Sequence, residues 1–357
     1  MRYEIICTEC GRRAEEGSTR CGCGAPLTIR YNLEGGWKND RKRSIVRYSA
    51  VLPVKNLPPM HVGWTPITEV SDVLFKMEYL SAGGSFKDRG ACVAEQKAKE
   101  LGAREIAVDS SGNSAISFSL FAKVLELKAR IFVPATAPQG KKDLLTFLGA
   151  DVHEIEGTRE EVNREAMRNK HYVGHWWNPY FIEGTKTIAL EAFEQTKGID
   201  CAVAPVGSGT LLLGLYKGFK ELVELGELEQ MPELIAVKAS GYAFSENGGE
   251  TSKLADGIAI KDPPRKKEII KAVRESNGRF VVVNDAEIAM ALMELRDMGF
   301  IVEPTSATAY AAYKKAKPKG KTLIPLTGSG LKLLDELLAI AGSQRHRASQ
   351  RKSASPP

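Results

Sequence analysis

Short apolar strands alternate with helix-patterned stretches along most of this chain, and that alternation restricts it to a mostly parallel sheet covered by helices. Asp88 to Leu101 reads as a helix stopped at Gly102, followed by a strand from Glu105 to Val108. Ser114 to Leu127 is helical, Arg130 to Val133 a strand, Lys141 to Leu148 a helix ended at Gly149, and Val152 to Ile155 another strand. A second series follows: strand Ala202 to Val206, a helix from Thr210, strand Leu234 to Val237, helix Ala286 to Met298, a helix from Ser306, and strand Thr322 to Pro325. Two α/β layers imply a cleft between them, and ligands of such sheets lie beyond the carboxyl ends of the strands.

With 357 residues the chain can bury a large core over two or three units. Its apolar and charged fractions, 43% and 26%, are those of an ordinary globular protein. The apolar run around Leu211 to Leu215 is far short of the ~20 residues a membrane span needs. The N-terminus has no long apolar stretch resembling a secretory signal, so a cytoplasmic protein is expected. Much of the net charge of +6 sits between Lys38 and Arg47 and between Gln344 and Lys352. The tail Ser343 to Pro357, rich in Ser, Arg, Lys and Pro, reads as a disordered, solvated terminus.

Four of the six cysteines fall in one short segment, as Cys7-Thr-Glu-Cys10 and Cys21-Gly-Cys23. Gly11, Gly22 and Gly24 permit tight turns from which two thiolates can point at one ion, and four thiolates suit tetrahedral zinc. The alternatives are two disulfides or four idle thiols; a reducing compartment favours the metal. Such zinc would be structural, because four protein ligands leave no open position. Cys92 and Cys201 stand alone and read as small hydrophobes.

Four loops lie where strands hand over to helices. In Gly83-Gly-Ser-Phe-Lys87-Asp-Arg89-Gly90 a lysine precedes a helix, whose positive end favours the neutral amine that a Schiff base needs. The bland reading is a surface lysine. Asp109-Ser-Ser-Gly112-Asn113-Ser114 offers hydroxyls, an amide and the free amides of a helix start, although such residues also serve as plain caps. Pro205-Val-Gly207-Ser208-Gly209-Thr210 lets a backbone approach a phosphate closely, and it has neither a nucleoside-triphosphate nor a full dinucleotide pattern. Leu326-Thr327-Gly328-Ser329-Gly330 places a hydroxyl where an aromatic nitrogen could meet it. Each alone could be a turn; together they form the set that pyridoxal 5′-phosphate needs for its aldehyde, ring oxygen, phosphate and ring nitrogen.

From about Gly63 to Lys332 the chain resembles the threonine synthase family of fold type II pyridoxal-phosphate enzymes. The resemblance rests on the order of Gly63-Trp-Thr-Pro66, Ser85-Phe-Lys-Asp-Arg89, Ser111-Gly-Asn-Ser114, Asn178-Pro-Tyr-Phe-Ile-Glu-Gly-Thr-Lys-Thr187, Gly207-Ser-Gly-Thr210, Glu303-Pro-Thr-Ser306 and Thr327-Gly-Ser-Gly330. The cysteine segment with Gly24-Ala-Pro-Leu27 resembles the N-terminal zinc ribbon of several members. The resemblance implies a tryptophan synthase β-like α/β fold with two open domains and the cofactor in the cleft. Residues 1–32 would form the ribbon, 33–50 a basic linker, 51–88 and 186–342 the large domain, 89–185 the small one, and 343–357 the tail.

By resemblance Lys87 is the Schiff-base lysine and proton shuttle, Asn113 the partner of the phenolic oxygen, and Thr327 the group facing the pyridine nitrogen. The amides of Gly207, Ser208, Gly209 and Thr210 would hold the phosphate, while Ser85, Ser111 and Ser114 would face the substrate. The implied reaction removes the α-proton and a β-proton of O-phosphohomoserine, expels phosphate from Cγ and adds water at Cβ, giving threonine; a homodimer is also implied. Two positions depart from the pattern: Phe181 stands where an arginine is common, and Ser329 where a histidine is. A substrate phosphate would then fall to Lys186 or Arg89, or the substrate carries none. The rival enzymes are a β-replacing synthase acting on O-phosphoserine and a threonine or serine dehydratase. Outside enzymes, the ribbon with Lys38, Arg41, Lys42, Arg43 and Arg47 could bind nucleic acid, but no aromatic residues interleave these charges as stacking on bases would require.

Overall fold

The computed structural model describes residues 3–33, 37, 41–196, 198–242, 244 and 251–353. Part of the predicted basic linker, 34–36 and 38–40, lies outside these residues, as do 354–357 of the tail. The chain opens on a three-stranded antiparallel ribbon, β1 (Tyr3–Cys7), β2 (Arg13–Ala14) and β3 (Leu27–Tyr31), in the order β2-β1-β3. An antiparallel hairpin follows, β4 (Ile67–Val70) and β5 (Val73–Lys76). The smaller α/β unit is then built from α1 (Lys87–Glu100), β6 (Glu105–Asp109), α2 (Asn113–Val124), β7 (Lys128–Pro134), α3 (Gln139–Phe147), β8 (Asp151–Ile155) and α4 (Arg159–Met167). Its three strands pair in parallel in chain order.

The larger unit contains α5 (Pro179–Gln195), β9 (Cys201–Pro205), α6 (Thr210–Glu224), β10 (Glu233–Ala239), α7 (Lys266–Glu275), β11 (Arg279–Val283), α8 (Asp285–Asp297), α9 (Pro304–Ala316), β12 (Thr322–Pro325) and α10 (Leu334–Ser353). Its sheet runs β11-β10-β9-β12-β5-β4, parallel except at the β4 edge. The strand order reverses beside β9, because the chain moves outward to β10 and β11 and returns on the other side as β12. The loops after β9 and β12 are therefore neighbours at the carboxyl edge, where ligands of such sheets bind.

Every strand and helix expected from periodicity is present, with ends shifted by a few residues. The edge hairpin was not expected: β4 is half-exposed and carries Thr68 and Glu69, so it gives no apolar run. Nor was α5, which is buried on nearly every side and so shows no amphipathic period. Asn178 caps it by accepting from the Tyr180 amide, and Pro179 occupies its first turn. Because α5 packs against both α1 and α6, it joins the two units. The last helix, α10, runs from Leu334 to Ser353 and so takes in part of the segment read as the tail. Its Ala, Gln, Arg and Lys favour a helix, and the packed turn around Leu337 and Ile340 supplies the nucleus.

Ile5, Cys7, Leu27 and Ile29 of the ribbon belong to the same apolar core as α1, α2 and the β6–β8 sheet. The ribbon is thus docked on the smaller unit. No helix among the described residues is long and apolar enough to cross a membrane.

Candidate functional site

Lys87, Asn113, Gly207, Ser208, Gly209, Thr210 and Thr327 line one cavity at the carboxyl edge of the larger sheet. Ser111 and Ser114 line it too. Lys87 is the first residue of α1, half-buried, with Nζ 4.8 Å from the Phe86 ring centroid and 5.7 Å from that of Phe181. Its loop is pinned to the loop after β12: the Phe86 amide donates to Thr327 O at 3.0 Å, and the Ser329 amide to Gly84 O at 2.9 Å.

The loop after β9 enters α6 with Gly209 at φ +86° and no side chain capping the helix, so the first amides of α6 face the cavity for a ligand to meet. A Cβ on Gly209 would fall 2.4 Å from Ile269, and one on Gly207 2.9 Å from the Ile258 backbone. Only glycine fits at either place.

Opposite, Asn113 Nδ2 donates to Glu303 Oε2 at 2.7 Å and Thr327 Oγ1 to Glu303 Oε1 at 3.1 Å, while Lys332 Nζ meets Asn113 Oδ1. Ser114 Oγ pairs with His175 Nδ1 at 3.0 Å. Ser85 is fully buried behind the cavity, and its hydroxyl meets no hydrogen-bond partner among the described residues.

Sequence reasoning missed three participants. His175 precedes Trp-Trp-Asn178 with no signal to distinguish it from a core histidine. Glu303 was quoted in a motif but given no role. Lys332 marked only the end of the resemblance and was given no role; burial depresses its pKa.

Neither candidate for a substrate phosphate faces the cavity. Arg89 is two residues beyond Lys87, about 200° round the helix, and its buried guanidinium is held by Glu78 at 2.7 Å and Glu191 at 2.6 Å. Lys186 is buried between Glu183 at 2.8 Å and Glu221 at 2.7 Å. Burial works against Glu191's charge, but Arg89 and Lys76 outweigh it and hold the carboxyl at about 2. Asp88 is pushed up by burial despite bonds from Ser117 Oγ at 2.6 Å and the Gly83 amide at 2.7 Å. Phe181 packs fully buried against Phe118 and His175, and its ring lies where a Cβ on Gly90 would fall at 2.5 Å. Ser329 caps its own turn, accepting from the Leu331 amide.

The four ribbon thiols are free, and their sulfurs lie within 4.8 Å of one another. Cys7 and Cys23 are 3.5 Å apart and Cys10 and Cys21 3.7 Å; a tetrahedron of ~2.3 Å zinc–sulfur bonds has edges of ~3.8 Å. The Arg12 guanidinium beside Cys10 holds that thiol down to about 6.

An amine at a helix start, a glycine cradle on an uncapped helix and two polar groups facing them across one cleft define a fold type II enzyme of the pyridoxal-phosphate class. The chain belongs to the pyridoxal-phosphate dependent enzyme family, whose sequence model matches residues 59–328. Its relatives there include threonine synthases. That of Methanosarcina acetivorans is 30% identical, over 89% of this chain and 88% of its own. That of Synechocystis sp. is 34% identical over 76% of this chain and 75% of its own. Among solved structures, the processed form of threonine deaminase isoform 2 from Solanum lycopersicum superposes with a TM-score of 0.67 at 25% identity, over 78% of this chain and 83% of that one. Serine racemase from Dictyostelium discoideum gives 0.63 at 28% identity, over 74% and 92%. The glycine cradle, with no side chain capping the first amides of α6, fits the cofactor's phosphate end, and Lys87 lines the same cavity.

Proposed function

We propose that this enzyme is a threonine synthase, which expels phosphate from Cγ of O-phosphohomoserine and adds water at Cβ to give L-threonine. The convergence of Lys87, Asn113, Gly207–Thr210 and Thr327 on one cavity carries the reading, in a chain whose relatives bear that name. When bound, the cofactor supplies the electron sink that stabilises negative charge beside the reacting carbons. Lys87 is the amine that attaches it and then carries protons from Cα and Cβ. The amides of Gly207, Ser208, Gly209 and Thr210 hold its phosphate, Asn113 donates to its phenolic oxygen, and the Thr327 hydroxyl faces its ring nitrogen.

Ser111 and Ser114 meet the substrate, while Ser85 supports the loop from behind. With Arg89 and Lys186 turned away, His175, backed by the buried Phe181 ring, and Ser114 meet the leaving phosphate. The same reading places a structural zinc ion on Cys7, Cys10, Cys21 and Cys23, supported by sulfurs that all lie within 4.8 Å of one another. It also takes the enzyme as a cytoplasmic homodimer. Leu331, in the turn before α10, and Leu334 and Leu338 in its first turns are exposed and suited to such self-association.

The test is the visible absorbance of the cofactor-loaded protein before and after O-phosphohomoserine, with phosphate and threonine assayed together. Equal amounts of both products are expected, and Lys87→Ala should abolish cofactor attachment and turnover. Turnover of O-phosphoserine, serine or threonine, with none of O-phosphohomoserine, would replace this reading with a β-replacing synthase or a dehydratase.

A further inference from the structure

Lys332 and Glu303 flank Asn113 from opposite sides, and neither belongs to the set of groups read above as touching the cofactor. A side-chain amide can sit either way round, and its neighbours decide which. Lys332 has only donors to offer and Glu303, as a carboxylate, only acceptors. Lys332 Nζ meets Oδ1, and Nδ2 donates to Glu303 Oε2 at 2.7 Å. Turning the amide over would set donor against donor and acceptor against acceptor. One Nδ2 hydrogen is taken by Glu303, which leaves the other for the cavity.

The same carboxylate reaches the far end of the ring site, where its Oε1 accepts from the Thr327 hydroxyl at 3.1 Å. That hydroxyl has a single proton. Committed to Glu303, it presents a lone pair to whatever faces it, and a ring nitrogen meets that lone pair favourably only by bringing its own proton. This reverses what a threonine in isolation suggests.

Both side chains sit in places cleared for them. Lys332 also donates to Gly84 O at 3.1 Å and Gly83 O at 3.3 Å, and a Cβ on Gly84 would come within 3.3 Å of its Nζ. A Cβ on Gly328 would fall 2.4 Å from the Glu303 carboxylate, and the Glu303 amide donates to Gly328 O at 3.0 Å. Three loops are thus tied to one line of polar groups: the loop before α1, the start of α2 and the loop after β12.

We propose that Lys332 and Glu303 are positioning residues that act through Asn113 and Thr327, fixing the amide's orientation toward the cofactor's phenolic oxygen and the hydroxyl's polarity toward its ring nitrogen. The inference rests on the reading of Asn113 and Thr327 as the ring contacts. Lys332→Met removes the ammonium and keeps the length of the chain. Titration of the cofactor-free enzyme with pyridoxal 5′-phosphate, followed by fluorescence, should then show a dissociation constant raised roughly tenfold, as expected for losing a hydrogen bond to a charged group. In an Asn113→Ala background the same change should have no further effect, because the group it orients is gone. Glu303→Gln can donate to Thr327 and release its proton, so the visible absorbance maximum of the loaded enzyme should shift; in a Thr327→Val background it should not.

Lys332→Met and Glu303→Gln proteins that bind and absorb as the original does would overturn the proposal. So would effects that persist undiminished in the Asn113→Ala and Thr327→Val backgrounds, which would indicate general damage to the fold. If Glu303→Gln does not fold, the Lys332 cycle decides alone. Failure of the underlying reading looks different: borohydride would then fix no cofactor to Lys87 in the unaltered protein.

Discussion

Lys87 and Arg89 are two residues apart on α1, yet one faces the cavity and the other is sealed in the core between Glu78 and Glu191. The period of the helix separates them: a turn of about 200° sends the second side chain to the opposite face. A buried ion group of this kind is costly to break, because each member left alone is an unpaired charge in a low-dielectric interior. Arg89→Met should therefore lose ~3–5 kcal/mol of stability at neutral pH, measured by urea unfolding. A pH dependence should accompany it. Glu191, held at about 2 in the folded protein, contributes stability that is present above the ordinary carboxylate range and is lost as pH falls toward that value. The acid-unfolding midpoint of Arg89→Met, followed by circular dichroism, should lie at higher pH than that of the unaltered protein. An unchanged midpoint would mean that Arg89 is not what depresses Glu191.

The start of α6 shows how a single element makes a phosphate cradle. Gly209 enters the helix from the left-handed region at φ +86°, and no side chain caps the amides that follow. In Gly209→Ala, the left-handed backbone costs roughly 1–2 kcal/mol, and the new Cβ crowds Ile269. We expect a lower melting temperature and cofactor binding weakened at least about tenfold, since the amides would no longer point at one centre. Equal affinity would show that the phosphate is held elsewhere. The glycine loop was readable as a sequence because strand, glycines and helix follow one another locally. The helix α5 was not, because burial against both α1 and α6 removes the polar face from which a helical period is read.

At the scale of the whole molecule the ribbon is joined to the active site through Arg265. This buried side chain donates to Leu27 O of β3 at 3.1 Å, Trp176 O at 3.0 Å and Trp177 O at 2.7 Å, immediately beside His175. Replacing Cys7 by serine should release one equivalent of zinc and speed amide exchange in the ribbon. It should also do so around Trp176 to Asn178, while the cofactor's absorbance stays. Exchange around Trp176 that matches the unaltered protein would show that Arg265 carries no such coupling. Loss of the cofactor would show that the ribbon and the cleft cannot be separated.

From the chain alone came the α/β class, the four loops that meet at the cleft and the cysteine quartet, because each is local: an alternation of periods, a turn that requires glycine, a pair of thiols a few residues apart. Only the tertiary structure decided which polar residues turn inward. Lys186 and Arg89 were removed from the cavity by buried carboxylates, Glu183 and Glu221 around the one and Glu78 and Glu191 around the other. His175 and Glu303 joined its lining, and Lys332 came to lie against Asn113, through contacts between residues far apart in sequence. Their meeting with Ser114 and Asn113 spans 61, 190 and 219 residues, a distance over which periodicity and spacing carry no information.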